Sequence, residues 1–582
     1  MISLNFQLKN KYNYLISGRN ILFEDKIHIV SITKLSNIIS NKKFSLLIYG
    51  NPTDDRDNII STKEIFKKIN ELKTKKNILH YLKSLCGAFN VVIFFSKKKN
   101  FIIFRDKDGH IPIFYSKNSD KEIFISDSLL LLKKQIHLEI NQEFLKKYII
   151  YRYNFIYGNS ETFYKNVNYL PAASILTISE KSHNVFRYAQ SKLKTNNNID
   201  YISAKKKIYD YSIELFNKKK LLFDKKTILA LSGGLDSTSA AYFISKVDRK
   251  LPSFTAEYND KLLINELSTA KLVSNLYSTK WLKIKISGNE FLKYWKNIYN
   301  YYSTPLPTSS SLGYHIMYEK LKQKGFNKIL NVGSPDHYFL GNYPGFIYNL
   351  CDLYEKNKNE FNKQLASWIK YHGTKEFPKN YKIFKDFYNN NICKKKKYSI
   401  KPVAELVASE YIKKKKFFPF NRFTSNSYLN AYLVMAIWNS ERAPGLVTFS
   451  EMSSITGVET IDPFIGEKIR KLSFSLPSSY KIRNSIGKFI LRDLMKKYLP
   501  EKIVKFNGKV GYDVPFALWS NKNKKIYNFI LKILNDNINN VFLRDLNMKK
   551  IIINFKKNKI NKMFLWQLVN GVMWLNSFHV KK

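Results

Sequence analysis

The chain has 582 residues, 44% of them hydrophobic and 15% aromatic, values of a globular protein with more than one domain and ample core. No apolar run reaches the ~18 residues of a membrane helix, and the start Met1-Ile2-Ser3-Leu4-Asn5-Phe6 lacks the charged-then-apolar layout of a signal peptide. The formal charge of +53 is spread over the whole chain among asparagines and isoleucines, as an AT-rich genome produces, and the three cysteines Cys86, Cys351 and Cys393 are widely spaced; no nucleic-acid partner, no membrane, no disulfide framework and a cytoplasmic setting are expected.

In chain order, the first ~190 residues read as β-rich. Val91–Phe95 and Phe101–Phe104 flank Ser96-Lys97-Lys98-Lys99-Asn100 as a hairpin, and Ile111–Tyr115 and Glu122–Ser126 continue the meander. Leu193 to Asp200, with three consecutive asparagines, reads as a linker. Beyond ~200, strands alternate with helices, which predicts a parallel sheet, and helices dominate after ~290.

Thr227–Leu231 reads as a buried strand that runs into Ser232-Gly233-Gly234-Leu235-Asp236-Ser237 and then at once into a helix. Such a turn presents backbone N–H groups and the positive end of a helix dipole, and both favour phosphate. Gly233 and Gly234 let the backbone approach phosphate oxygens, and Ser232, Ser237 and Thr238 add hydroxyls. Asp236 repels phosphate, so it makes sense as a Mg²⁺ ligand. No Gly-Lys-Ser/Thr follows, so this is not the lysine-bearing P-loop. Ser253–Glu257 reads as the next strand, and Asn265-Glu266 as a helix start. Lys328–Val332 reads as a further strand, ending in Gly333-Ser334-Pro335-Asp336-His337-Tyr338-Phe339-Leu340-Gly341. The lysine runs Lys394–Lys397 and Lys413–Lys416 read as solvated surface.

The 232–237 string resembles the pyrophosphate loop of the N-type ATP pyrophosphatases. Cys86-Gly87-Ala88-Phe89-Asn90, Arg105-Asp106 with Gly109-His110 and Pro112, and Ile125-Ser126-Asp127-Ser128 resemble the glutaminase domain of asparagine synthetases. Together these identify the chain as a member of the asparagine synthetase family, with a glutaminase-like antiparallel β-sandwich over 1–195 and an α/β ATP-binding ligase domain over 200–582. The resemblance implies that Leu231, Ser232, Gly233, Gly234, Leu235, Asp236, Ser237, Ser253, Phe254, Gly333 and Ser334 bind ATP, and that Asp236 and Asp336 hold Mg²⁺. Gly487-Lys488 with Leu491-Arg492 matches the family's Gly-Lys-x-x-Leu-Arg helix. Lys509, in Asn507-Gly508-Lys509-Val510-Gly511, matches its catalytic lysine, and Glu451, in Ser450-Glu451-Met452-Ser453, the glutamate of β-lactam synthetases that assists the base.

Three departures narrow the expectation. Ile2 stands where the working glutaminases carry their cysteine nucleophile, so glutamine hydrolysis is not expected. Gly333 stands where asparagine synthetases have a glutamate and β-lactam synthetases a tyrosine. Thr460-Ile461-Asp462 stands where the family's Gly-Val-Glu-x-Arg-x-Pro-Phe-Leu-Asp has an arginine that helps order the turn. The expected reaction is adenylation of a carboxylate followed by amine displacement of AMP, with ATP and Mg²⁺. The expected substrate is a peptide or small-molecule carboxylate, with a precursor peptide and its protease as partners, as in lasso-peptide cyclases. An asparagine synthetase, a β-lactam-type cyclase and a non-catalytic binding protein are the alternatives.

Overall fold

The computed structural model describes residues 14–15, 20–23 and 27–30 by their backbone, and residues 38–97, 100–117, 123–151, 160–179, 182–189, 193, 195–258, 266–373, 378–392, 397–400, 410–412, 422–438, 443–506 and 513–579. The N-terminal half contains two six-stranded sheets. The longest ladder pairs Phe44–Thr53 with Cys86–Phe95, which pairs in turn with Asn100–Arg105, so the hairpin expected around 96–100 is present. The one parallel pairing in these sheets joins Ile27–Val30 to Ile123–Ser126.

The strand expected at Ile111–Tyr115 begins instead at Phe114. The backbone before it is committed to a tight turn. Asp106 accepts from the N–H groups of Asp108 and His110, both at 3.0 Å, Gly109 has φ +61°, and Pro112 has no N–H to give a ladder. The fully buried Arg105 locks this turn by donating to Gly109 O at 2.7 Å, Tyr169 Oη at 2.6 Å and Leu170 O.

Asp200 ends the linker as an N-cap. Its carboxylate accepts from Ser203 N at 2.9 Å and starts the helix Tyr201–Lys219. Five parallel strands follow in the spatial order Trp281–Ile286, Ser253–Tyr258, Thr227–Ala230, Lys328–Leu330, Glu459–Ile461. The chain order reverses between Thr227–Ala230 and Lys328–Leu330, and ligands of open α/β sheets bind beyond the strand ends at such a switch point. The strand Lys328–Leu330 is shorter than the expected Lys328–Val332, although Asn331 N still donates to Ile461 O of the neighbouring strand at 2.9 Å.

The two halves share one hydrophobic core. Leu145, Tyr148 and Phe163 from the first half pack with Trp295, Trp566 and Trp574 from the second. Gln567 of the helix Lys562–His579 reinforces this by donating to Tyr151 O at 2.8 Å and to Tyr148 O. The described residues between 343 and 438 form mainly helices, Tyr343–Lys356, Lys358–Tyr371, Tyr381–Asn391 and Tyr428–Trp438. The run Lys413–Lys416 and most of Lys394–Lys397 lie outside the described residues. No helix among the described residues is long and apolar enough to cross a membrane.

Candidate active site

Two loops at the switch point carry the expected aspartates. Asp236 lies in the first turn of the helix Leu235–Lys246, and Asp336 in the short helix Ser334–Tyr338. Lys488 stands between them: its ammonium pairs with Asp336 Oδ1 at 2.7 Å and with Asp236 Oδ2. Lys488 has φ +55°, a left-handed conformation uncommon outside glycine. Its N–H is held by Phe339 O at 3.1 Å, which brings the 487–488 turn against the 339–341 segment.

One ammonium between two carboxylates leaves a net negative charge. Burial and the nearby Asp336 charge raise the Asp236 carboxyl pKa, despite Lys488. Burial would lower the Lys488 ammonium, yet the two carboxylates outweigh it and raise its pKa. Asp236 Oδ1 is buried and makes no hydrogen bond. That orphaned oxygen, beside a second carboxylate, fits a divalent cation. Among the described residues no group of three or more His, Cys, Asp and Glu side chains could hold a metal. Two carboxylates completed by phosphate oxygens and water are the usual Mg²⁺ arrangement.

The Ser232–Ser237 loop takes the predicted form. Gly233 has φ +74°, and a Cβ there would press on the backbone of Ala270 at 3.0 Å. Leu231 N bonds Phe254 O at 2.9 Å, and Gly234 begins the helix whose first residue is Leu235. The hydroxyls differ from expectation: Ser232 Oγ and Ser237 Oγ lie 3.1 Å apart and bond each other. Ser253 and Phe254 are fully buried, and Ser253 Oγ donates to Ser274 Oγ of the helix Glu266–Tyr277 at 3.4 Å.

Gly333 and Ser334 also differ. Their donors are engaged by Asp462, whose Oδ2 accepts from Gly333 N at 3.1 Å and from Ser334 N and Oγ at 2.7 Å each. Asp462 follows the strand Glu459–Ile461, so three adjacent strands each deliver an aspartate to this edge. His337 Nδ1 lies 3.4 Å from Asn342 Nδ2.

Glu451 lies on the helix Ala443–Thr456 and is fully buried. Ser303 Oγ donates to its Oε1, and Thr304 Oγ1 to its Oε2 at 3.4 Å. No ion pair or hydrogen bond among the described residues joins it to the aspartates. Burial pushes its pKa up to about 7, near the value a general base needs. The same shift predicts a stability change. The folded state binds the Glu451 proton more tightly than the unfolded chain, whose glutamate titrates at 4.5. The contribution is therefore fully present below that value and is lost as pH rises through about 7. At 1.36 kcal/mol per pKa unit it amounts to roughly 3 kcal/mol. Melting curves from pH 4 to 8 are expected to show this loss in wild type and not in Glu451→Gln; parallel profiles would refute it.

Lys509 lies outside the described residues, but both flanks of its loop are placed. Arg492 donates to Val504 O at 2.8 Å and to Gly487 O at 3.0 Å, and Ser310 Oγ donates to Asp513 at 3.0 Å. Lys488, Asp462, Ser303 and Thr304 did not stand out in the sequence as site residues. A signal existed for Lys488, in Gly487-Lys488, but not for the fold that carries it to Asp336.

A parallel sheet with a glycine-rich loop and paired aspartates at its switch point defines an α/β domain of the nucleotide-binding class. The chain belongs to the asparagine synthase family, whose profile matches residues 218–575, and a glutamine amidotransferase domain profile matches residues 73–189. The family is one of ATP-dependent amidotransferases and ligases. Asparagine synthetase [glutamine-hydrolyzing] 1 of Bacillus subtilis (strain 168) is 20% identical over 522 residues, 86% of this chain and 78% of that protein. Among solved structures, the NMN synthetase of Francisella tularensis is similar over 24% of this chain and 58% of its own, with 13% identity and a TM-score of 0.19. The glutamine-dependent NAD+ synthetase of Acinetobacter baumannii is similar over 29% of this chain and 31% of its own, with 14% identity and a TM-score of 0.19.

Proposed function

We propose that this chain is an AMP-forming amide ligase that activates the carboxylate of a peptide or other extended substrate and closes it onto an amine of the same molecule. The observation that carries the reaction class is the Asp236–Lys488–Asp336 array beside the glycine-rich loop. The backbone N–H groups and helix dipole at 232–237 hold the β- and γ-phosphates. Asp236 and Asp336 hold Mg²⁺, which when bound neutralises phosphate charge in the transition state. The substrate carboxylate attacks the α-phosphorus, and the α–β bond breaks to release pyrophosphate. Lys509, in the sequence between Val504 and Asp513, stabilises the charge that develops as the amine attacks the acyl carbon. Glu451 takes or orients the amine proton, and AMP leaves.

Two observations support an internal amine over glutamine-derived ammonia. Cys86 is the first cysteine of the sequence, and its thiol is buried, with a pKa pushed up to about 11 by burial and by Glu467. A thiol so disfavoured as thiolate is a poor nucleophile. Gly333 leaves open the place where small-molecule enzymes of the family carry a side chain: a Cβ there would meet only Asp462 Oδ2, at 3.8 Å. The second reading is an asparagine synthetase, favoured by the name of the Bacillus relative.

AMP release decides between them. Aspartate with ammonia or glutamine is compared with a precursor peptide encoded beside this chain, with mass spectrometry of the product. Peptide-dependent AMP and loss of one water are expected. Efficient asparagine formation without any response to peptide would establish the second reading.

A further inference from the structure

The helix that carries Asp336 is held at both ends by parts that lead to the N-terminal domain. At its start, Asp462 accepts three hydrogen bonds from Gly333 and Ser334. At its end, Tyr338 lines a narrow cleft between the halves, together with Cys86, Gly87, Asp106 and His110.

Behind Asp462 stands Lys219, the last residue of the helix Tyr201–Lys219 and only 8% exposed. Its ammonium donates to Asp462 O at 3.3 Å, and two carboxylates act on it, Asp462 and Asp57. Burial pushes its pKa down to about 8, so the ammonium depends on those two anions.

Asp57 comes from the N-terminal half and is 4% exposed, with φ +67°. Its turn is shaped by Asp54, whose Oδ1 accepts from Arg56 N at 2.9 Å and Asn58 N at 2.8 Å. Asp57 accepts from Glu467 N at 2.5 Å and Lys468 N at 3.3 Å. It thus caps the helix Glu467–Ser475, whose own N-cap residue, Gly466, offers no side chain. The cap that Gly466 lacks is thus provided from the N-terminal half. Lys218 fastens the same corner by donating to Arg56 O and pairing with Glu214, which also takes Lys468 at 2.7 Å.

We propose that Asp57 and Lys219 are positioning residues of the nucleotide site, through which the docked N-terminal domain sets the place of Asp462 and thereby of the Asp336 helix. The inference rests on the reading of Asp336 as a Mg²⁺ ligand. It gives the N-terminal domain a role independent of glutamine hydrolysis. Asp57 fixes the start of the helix Glu467–Ser475 and adds its charge to the surroundings of Lys219, Lys219 donates to the Asp462 backbone, and the Asp462 carboxylate accepts from Gly333 and Ser334 at the start of the Asp336 turn. An Asp57→Asn variant removes the charge that acts on Lys219 but keeps only one of the two oxygens that accept from Glu467 N and Lys468 N, so Lys219→Met, which leaves the cap intact, is measured beside it.

The test is ATP binding by the full chain, measured by calorimetry with and without Mg²⁺, in wild type, Asp57→Asn, Asp336→Asn and the double variant. Asp57→Asn is expected to weaken Mg²⁺-dependent ATP binding about 10-fold, within the range measured for coupled residues, and to leave Mg²⁺-free ATP binding unchanged. In the Asp336→Asn background the same change is expected to have no further effect. An equal loss in both backgrounds, or none in either, would overturn the relay. If Asp57→Asn does not fold, Lys219→Met, which leaves the cap in place, carries the same comparison. Wild type that binds ATP without any response to Mg²⁺ would overturn the metal reading and the relay together, a result distinct from either variant outcome.

Discussion

Asp336→Asn is expected to lower ATP-dependent pyrophosphate release by about 10³-fold, and Asp236→Asn by a similar factor. Each substitution removes one of two carboxylates able to hold a hard cation. Loss of such a ligand removes several kcal/mol of transition-state stabilisation, and each 1.36 kcal/mol is about tenfold in rate. The fold should survive. Asparagine matches the shape of aspartate, and Lys488 in the Asp336→Asn variant still pairs with Asp236. The variant array is closer to neutral than the native one, so self-repulsion falls. A coupled pyrophosphate assay, with a melting curve to check folding, measures the effect. Wild-type release by both folded variants would remove the metal-ligand assignment.

Gly341→Ala is expected to separate activity from stability. A Cβ at Gly341 would fall on Asp336 Oδ1 and Lys488 Cε, with Lys488 Nζ 2.9 Å away. These atoms are the ends of flexible side chains, so the protein accommodates the methyl by displacing them and not the backbone. Overpacking of this kind costs about 1–3 kcal/mol of stability. The displaced groups are the proposed metal ligand and the cation that balances it. A misplacement of about 1 Å at reacting groups costs roughly 10²-fold in rate. Pyrophosphate release down about 10²-fold in a variant that melts within several degrees of wild type is the expected result. A variant with full activity would show that Lys488 and Asp336 need not meet at Gly341.

The glycine-rich loop could be read from the sequence because its chemistry is local. Thr227–Ala230, Gly233 and Asp236 are neighbours in the chain, and strand, turn and helix dipole act over a few residues. The hairpin around Ser96 was legible for the same reason, from two apolar runs and a polar turn. The strand misplaced at Ile111 shows the limit. Side-chain bonds from Asp106 and Arg105 override an apolar alternation that looked extended. Ser253 and Phe254 show another: a motif match names a strand but not its packing, and here both side chains are buried, one on each face of the sheet.

By itself, the sequence determined the two-part organisation and the glycine-rich turn between strand and helix, and it singled out the aspartates beside them, because each depends on the order and type of adjacent residues. Only the tertiary structure decided what those aspartates face. Lys488 lies 252 positions beyond Asp236, and Asp57 lies 410 positions before Glu467, so no local pattern could pair them. Strand order in the parallel sheet brings the ends of Thr227–Ala230, Lys328–Leu330 and Glu459–Ile461 side by side. Burial then makes each charge there depend on a partner from a distant part of the chain, because an ion removed from water is stable only when it is paired.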